Sequence, residues 1–144
     1  MKKLGILLAL GAVLTAGYAE ARNERIKFSI QDLLDQQKAK DALLGVPLYF
    51  AEVPEGVTET FGEITTSRKT NAFLKSDRNA CEWAMLSALK VLQQRAIKEG
   101  MDAVVDIRSN YKHKELKSKE MFECGAGAVV AGVALKGTLV KLKS

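Results

Sequence analysis

Apolar residues recur with helical spacing over one long stretch of this chain and with strand spacing over two others. Between Asp77 and Glu99, the residues Cys81, Ala84, Met85, Ala88, Leu89, Leu92 and Ala96 follow the i, i+3, i+4, i+7 rule, which predicts an amphipathic helix. Ser76 is placed to cap its start, Asp77 complements the N-terminal dipole, and Gly100 closes it. Glu82, Gln93, Gln94, Lys98 and Glu99 supply the polar side. Trp83, Leu86, Val91 and Ile97 fall outside the stripe and widen the apolar surface. Either a deeply buried helix or one that meets a partner has this pattern.

After Gly100 the period changes from 3.6 to 2. Ala103, Val105, Ile107, Ser109 and Tyr111 are expected on one face of a strand, with Val104, Asp106, Arg108 and Asn110 on the other. Lys112 to Glu120 reads as a charged loop, and Met121 to Cys124 begins the return. Gly127 to Leu142 predicts a long final strand with Val129, Ala131, Val133, Leu135 and Leu139 on one face. Upstream, Ser29 caps a short helix with Asp32 in its first turn, and Ile30, Leu33 and Leu34 fall on one side. Val46 to Ala51 is a strand candidate, and Pro54-Glu55-Gly56 is a turn. Val57 to Asn71 is Thr-rich and extended, with Gly62 marking a bulge. Together these elements predict an α+β domain: a small, mostly antiparallel sheet packed on one long helix, plus a short N-terminal helix.

The first residues follow a different pattern. Lys2 and Lys3 precede an uncharged apolar run from Leu4 to Ala16, and Ala19-Glu20-Ala21 places small residues at Ala19 and Ala21. These are the three parts of a cleavable export signal over residues 1–21, leaving residues 22–144 as a single domain. The run is shorter than the about 20 residues that span a bilayer. No cysteine follows it, so a periplasmic, unlipidated product is expected. The later apolar run Gly125 to Leu135 is rich in Gly and Ala and is better read as a buried strand.

Net charge is +5 for the whole chain and about +4 without the signal residues. Lys and Arg are dispersed and lack interleaved aromatics, which argues against nucleic-acid binding. Two cysteines remain, Cys81 and Cys124. In an oxidising envelope such a pair is first read as a disulfide, here closing a loop of roughly 43 residues worth about 4 kcal/mol in the chain-entropy model. A reactive thiol pair, a metal site and an intermolecular bridge are the alternatives. Their spacing is not that of a C-x-x-C redox motif.

Candidate chemistry is sparse. His113 is the only histidine and lies between Lys112 and Lys114, a poor setting for a buried base. Cys81, Cys124 and His113 are the only soft ligands, fewer than a typical zinc site recruits. Gly132-x-x-x-x-Gly137 is followed by Thr138 and Leu139 where a phosphate loop requires Lys and then Ser or Thr, so no ATP site is read. Gly125-Ala126-Gly127 precedes no helix and is no dinucleotide fingerprint. Lys112, Lys114, Lys117 and Lys119, tempered by Glu115 and Glu120, could touch anionic lipid head groups. No catalytic residue, cofactor or metal ligand set emerges.

The passage Ala96-Ile97-Lys98-Glu99-Gly100-Met101-Asp102-Ala103-Val104-Val105-Asp106-Ile107, with Lys136-Gly137-Thr138-Leu139-Val140 downstream, resembles the YbjQ-like family over roughly residues 77–142. That resemblance implies a sheet with one principal helix, ring oligomers and a heavy-metal-binding label without a clear ligand set. The same region is similar to the RcsF-like envelope stress sensors, from which this chain departs in having no lipidated cysteine and only two cysteines. Arg68-Lys69-Thr70-Asn71-Ala72-Phe73 and Asp77 to Leu89, including Cys81-Glu82-Trp83-Ala84, resemble a group of uncharacterised exported proteobacterial proteins often labelled "excinuclease ATPase subunit". No Walker lysine or zinc-finger cysteine set accompanies that label here. The expectation is therefore a non-enzymatic periplasmic binding or structural protein, with self-association or an unknown envelope protein as partner. A metal- or redox-responsive protein using Cys81 and Cys124 is the alternative.

Overall fold

A computed structural model of the chain describes residues 23–144. The expected export segment, with Ala19 and Ala21, lies outside the described residues. The elements are β1 (Glu24–Ser29), α1 (Ile30–Leu34), α2 (Gln37–Ala42), β2 (Leu48–Phe50), β3 (Val57–Asn71), α3 (Asp77–Lys98), β4 (Ala103–Ser109), β5 (Met121–Ala126) and β6 (Val130–Leu142). A single 3-10 turn, Tyr111–His113, follows β4. The fold is α+β, with six strands in one sheet and every pairing antiparallel except β2 with β4.

β6 organises the sheet. One edge takes the whole of β3, from Val57 opposite Leu142 to Asn71 opposite Val130. The other edge takes β5 at the start of β6 and β4 further along. β1 then adds to β5, and β2 to β4. Alternation along β6 decides its two faces: Ala131, Val133, Leu135 and Leu139 are buried towards α3, while Gly132, Ala134, Lys136 and Thr138 face away and are half-buried. Gly137 lets the layers close up, because a Cβ there would stand 2.9 Å from Val104 Cγ1.

α3 has the capping the sequence predicts. Ser76 Oγ accepts from the Asn79 N–H at 3.0 Å, and Gly100 takes a left-handed φ of +72°. All seven stripe residues are buried. Leu86, off the stripe, is buried as well, whereas Trp83 and Ile97 stay exposed. Two residues read as polar surface prove to be interior. Gln93 accepts from the Leu44 N–H and donates to the Leu44 and Val46 carbonyls, each at 2.8 Å. Glu82 receives Lys38 and Gln36 at 2.8 Å, with Arg78 at 3.9 Å. These side chains fasten the α1–α2 segment to α3. A buried polar group needs such partners, and a distant backbone partner leaves no periodic mark in the sequence.

Two further expectations are corrected, and one strand is added to those read from the sequence. Glu24 to Ser29 forms a strand although it carries only two large apolar residues, because full pairing with β5 satisfies its backbone. β4 does not alternate throughout. Asp106 sits at φ +51° with a register shift between Val105 and Arg108, so Val104 and Ile107 share the α3 side while Ala103 and Val105 pack with Val140 on the other. Val129 is exposed, because it lies in the turn before β6 and not within the strand.

Candidate functional site

Cys81 enters the structure on the first turns of α3 and Cys124 on β5. They are joined as a disulfide with Cα atoms 5.9 Å apart, and both are fully buried. The bridge clamps the start of the helix to the sheet. A disulfide is the mark of an oxidising compartment. Bonded to each other in the core, these sulfurs present no thiolate to a metal or a thiol partner. Among the described residues, no group of three or more His, Cys, Asp or Glu converges for a metal ion. No described helix is long and apolar enough to cross a membrane.

The core holds a void of only about 10 Å³ beside Met85 and Phe122, barely enough for one water. Besides an open depression of about 400 Å³ beside Leu34, Ala39 and Leu43, room for a ligand lies on the sheet face turned away from α3. There the Tyr111–His113 turn rests on β5 and β6. Gly125 and Gly132 are register partners beneath the Tyr111 ring. A Cβ on Gly125 would occupy the space of the ring itself, so this glycine is required by close approach and not by its backbone angles. The ring is held from several sides. Arg25 stacks over it at 5.1 Å and donates to the Tyr111 carbonyl at 3.1 Å, and the phenol donates to Asn23 Oδ1 at 3.0 Å. Arg25 is fixed in turn by Glu123 at 2.7 Å, whose N–H donates to buried Ser109 Oγ at 2.9 Å.

Beside Tyr111 the small residues of β3 and β6 leave a groove of about 510 Å³. Thr65, Ser67 and Lys69 border it on β3, Ala134 on β6, and Asn110, Lys112 and His113 on the turn. Lys112 and His113 both take left-handed backbone angles, φ +53° and +63°. Such strain in non-glycine residues persists only where surroundings over-determine it. Here the Asn110 N–H binds the Ala134 carbonyl at 2.8 Å, and the Lys114 N–H binds the Tyr111 carbonyl at 3.1 Å. His113, the sole histidine, therefore sits on the groove rim, and no hydrogen bond joins it to Thr65, Ser67 or a carboxylate among the described residues.

Next along the same face lies a charge network. Arg108 pairs with Glu63, with Asp106 at 3.2 Å and with Glu115 at 2.8 Å. Lys136 reaches Glu115 at 2.9 Å and Lys117 reaches Asp106 at 3.3 Å. Hydrogen bonds from Lys136 and then Arg108 pull the Glu115 carboxyl down to about 2. Burial works to lower the Arg108 pKa, but its bonds to Glu115 and Glu63 outweigh this and raise it. The basic loop is thus partly neutralised, with Lys119 facing Glu52 at 3.4 Å. Sequence reasoning singled out His113 and the lysines but missed the Tyr111 platform. Its one readable sign is a pair of glycines that the pairing of β5 with β6 brings opposite each other.

Compared with known proteins, the chain matches no family model, no curated protein and no solved structure.

Proposed function

We propose that this protein is a non-enzymatic binding module of the periplasm, with the groove beside Tyr111 as its ligand surface. The observation that carries this reading is the groove's construction. Small residues of β3 and Ala134 of β6 line it, its wall is Tyr111, seated on two opposed glycines, with the strained turn that follows, and its polar groups border one open space. A site built on strands holds its geometry better than one on free loops. Lys69 and Lys112 border it without a carboxylate partner among the described residues, which favours a small polar ligand carrying negative charge. Among the described residues no carboxylate orients His113 as a base, which is in keeping with binding without turnover. The buried disulfide and the amino-terminal pattern of Lys2, Lys3, Ala19 and Ala21 support export.

Nuclear magnetic resonance titration with short dicarboxylates, sugar phosphates and acidic peptides tests this reading. Saturable shifts are expected at residues 65–69, 110–113 and 132–134, and a Lys69→Ala/Lys112→Ala variant should lose them. Shifts scattered over the surface, or unchanged in that variant, would refute the groove as the ligand surface.

A further inference from the structure

Eight large apolar side chains are conspicuously exposed among the described residues, and four of them stand together. Phe73 and Leu74 lie in the loop between β3 and α3, and Val129 and Val130 in the turn entering β6. The two loops are one structural unit. Asn71 pairs with Val130, and the Ala72 N–H donates to the Val129 carbonyl at 2.7 Å. Exposed Ala128 adds to the same end of the sheet. Leu74 is 90% exposed and held at φ +62°, an angle that a side-chain-bearing residue adopts at a cost. Packing within the chain gives no return for presenting a leucine this way.

The tip and the strand behind it also carry cations, as several other parts of the surface do. Lys117, Lys119 and Lys136 face carboxylates. Lys75, inside the tip, and Arg68 and Lys69, a few residues back along β3, make no ion pair among the described residues. The nearby acids are Asp77, in the first turn of α3, and Glu24, at the start of β1, and both are engaged in interactions of their own. The tip therefore combines protruding apolar groups with free cations.

We propose that this tip docks the protein on an anionic lipid surface. Phe73, Leu74, Val129 and Val130 enter the head-group boundary, and Lys75, Lys69 and Arg68 meet the lipid phosphates. Interfacial binding requires this pairing of apolar insertion with cationic attraction. The lysines also favour a lipid surface over a protein partner. Lysine is depleted at the cores of protein interfaces, whereas anionic lipid attracts it. The docking tip shares Lys69 with the border of the groove but does not depend on the groove's having a ligand.

Co-sedimentation of the purified protein with phosphatidylglycerol–phosphatidylethanolamine vesicles, against pure phosphatidylcholine vesicles, tests the proposal. Binding to the anionic vesicles that weakens with salt is expected. Leu74→Asp and Phe73→Ser should bind at least about tenfold more weakly, and Lys75→Ala about fivefold. These positions are exposed, so thermal unfolding of each variant should match the parent. A Phe73→Trp variant should show blue-shifted emission on the anionic vesicles only. Failure to sediment with them, equal binding to phosphatidylcholine, or undiminished binding by Leu74→Asp would overturn the proposal. So would a dimer, seen by light scattering, that Leu74→Asp dissolves, since a second copy would then be what covers the tip.

Discussion

At the scale of single residues, Gly125 and Glu115 have opposite characters, one defined by missing atoms and the other by charge. Replacing Gly125 with Ala must displace the Tyr111 ring, because the new Cβ has no other space. We expect a loss of about 1–3 kcal/mol in denaturant unfolding, the usual range for overpacking. The same change in a Tyr111→Ala background should cost far less, and that non-additivity identifies the contact. Gly45→Ala, where a Cβ meets nothing within 4 Å, serves as the control. Glu115 makes stability depend on pH. Its folded pKa of about 2 lies below the ordinary 4.5, so its contribution is complete above pH 4.5 and is lost as pH falls through 2. Unfolding midpoints measured across that interval should fall more steeply for the parent than for Glu115→Gln. Equal slopes would mean that Lys136 and Arg108 do not hold the carboxylate.

At the scale of elements, what was readable depended on whether the governing signal was local. α3 and β3 match their predicted boundaries within a residue because Ser76, Gly100 and Asn71 are punctuation the chain itself carries. β1 was not readable, because its backbone is satisfied by β5 almost a hundred residues away. The bulge at Asp106 was hidden for a related reason. Nothing in Val-Val-Asp-Ile-Arg announces a left-handed aspartate, and the shift emerges only when β2 and β6 both pair with β4. The groove was opaque too, since its borders come from three separate segments. Gln93 shows the energetic side of such long-range partners. Gln93→Ala would strip the Leu44 N–H and two carbonyls of their partner, and we expect a loss of about 1–3 kcal/mol. The exposed neighbour substitution Gln94→Ala should stay within about 0.5 kcal/mol. Equal effects in thermal unfolding would show that the α1–α2 segment is not fastened through Gln93.

For the whole molecule, the disulfide is both a clamp and a barrier. With both sulfurs at zero exposure, the native protein should resist dithiothreitol, and reduction should track unfolding as urea is added. Rapid reduction without urea would reveal an accessible, responsive bridge. The Cys81→Ala/Cys124→Ala variant should lose up to about 4 kcal/mol. The bridge also changes how far apart the molecule's own parts are along the chain. In the reduced polypeptide β3 and β6 are separated by about 60 residues, and the longest strand pairing of the sheet must wait for that loop to close. Once Cys81 and Cys124 are joined, the path through the bond is about 16 residues, and the pairing becomes nearly local. Loop closure is then easier by roughly 1 kcal/mol. The oxidised chain should therefore refold about fivefold faster than the reduced chain, if that closure limits the rate. Before oxidation this sheet should be a slow one to assemble, and the covalent shortcut ends the interval in which its longest strands are left unpaired.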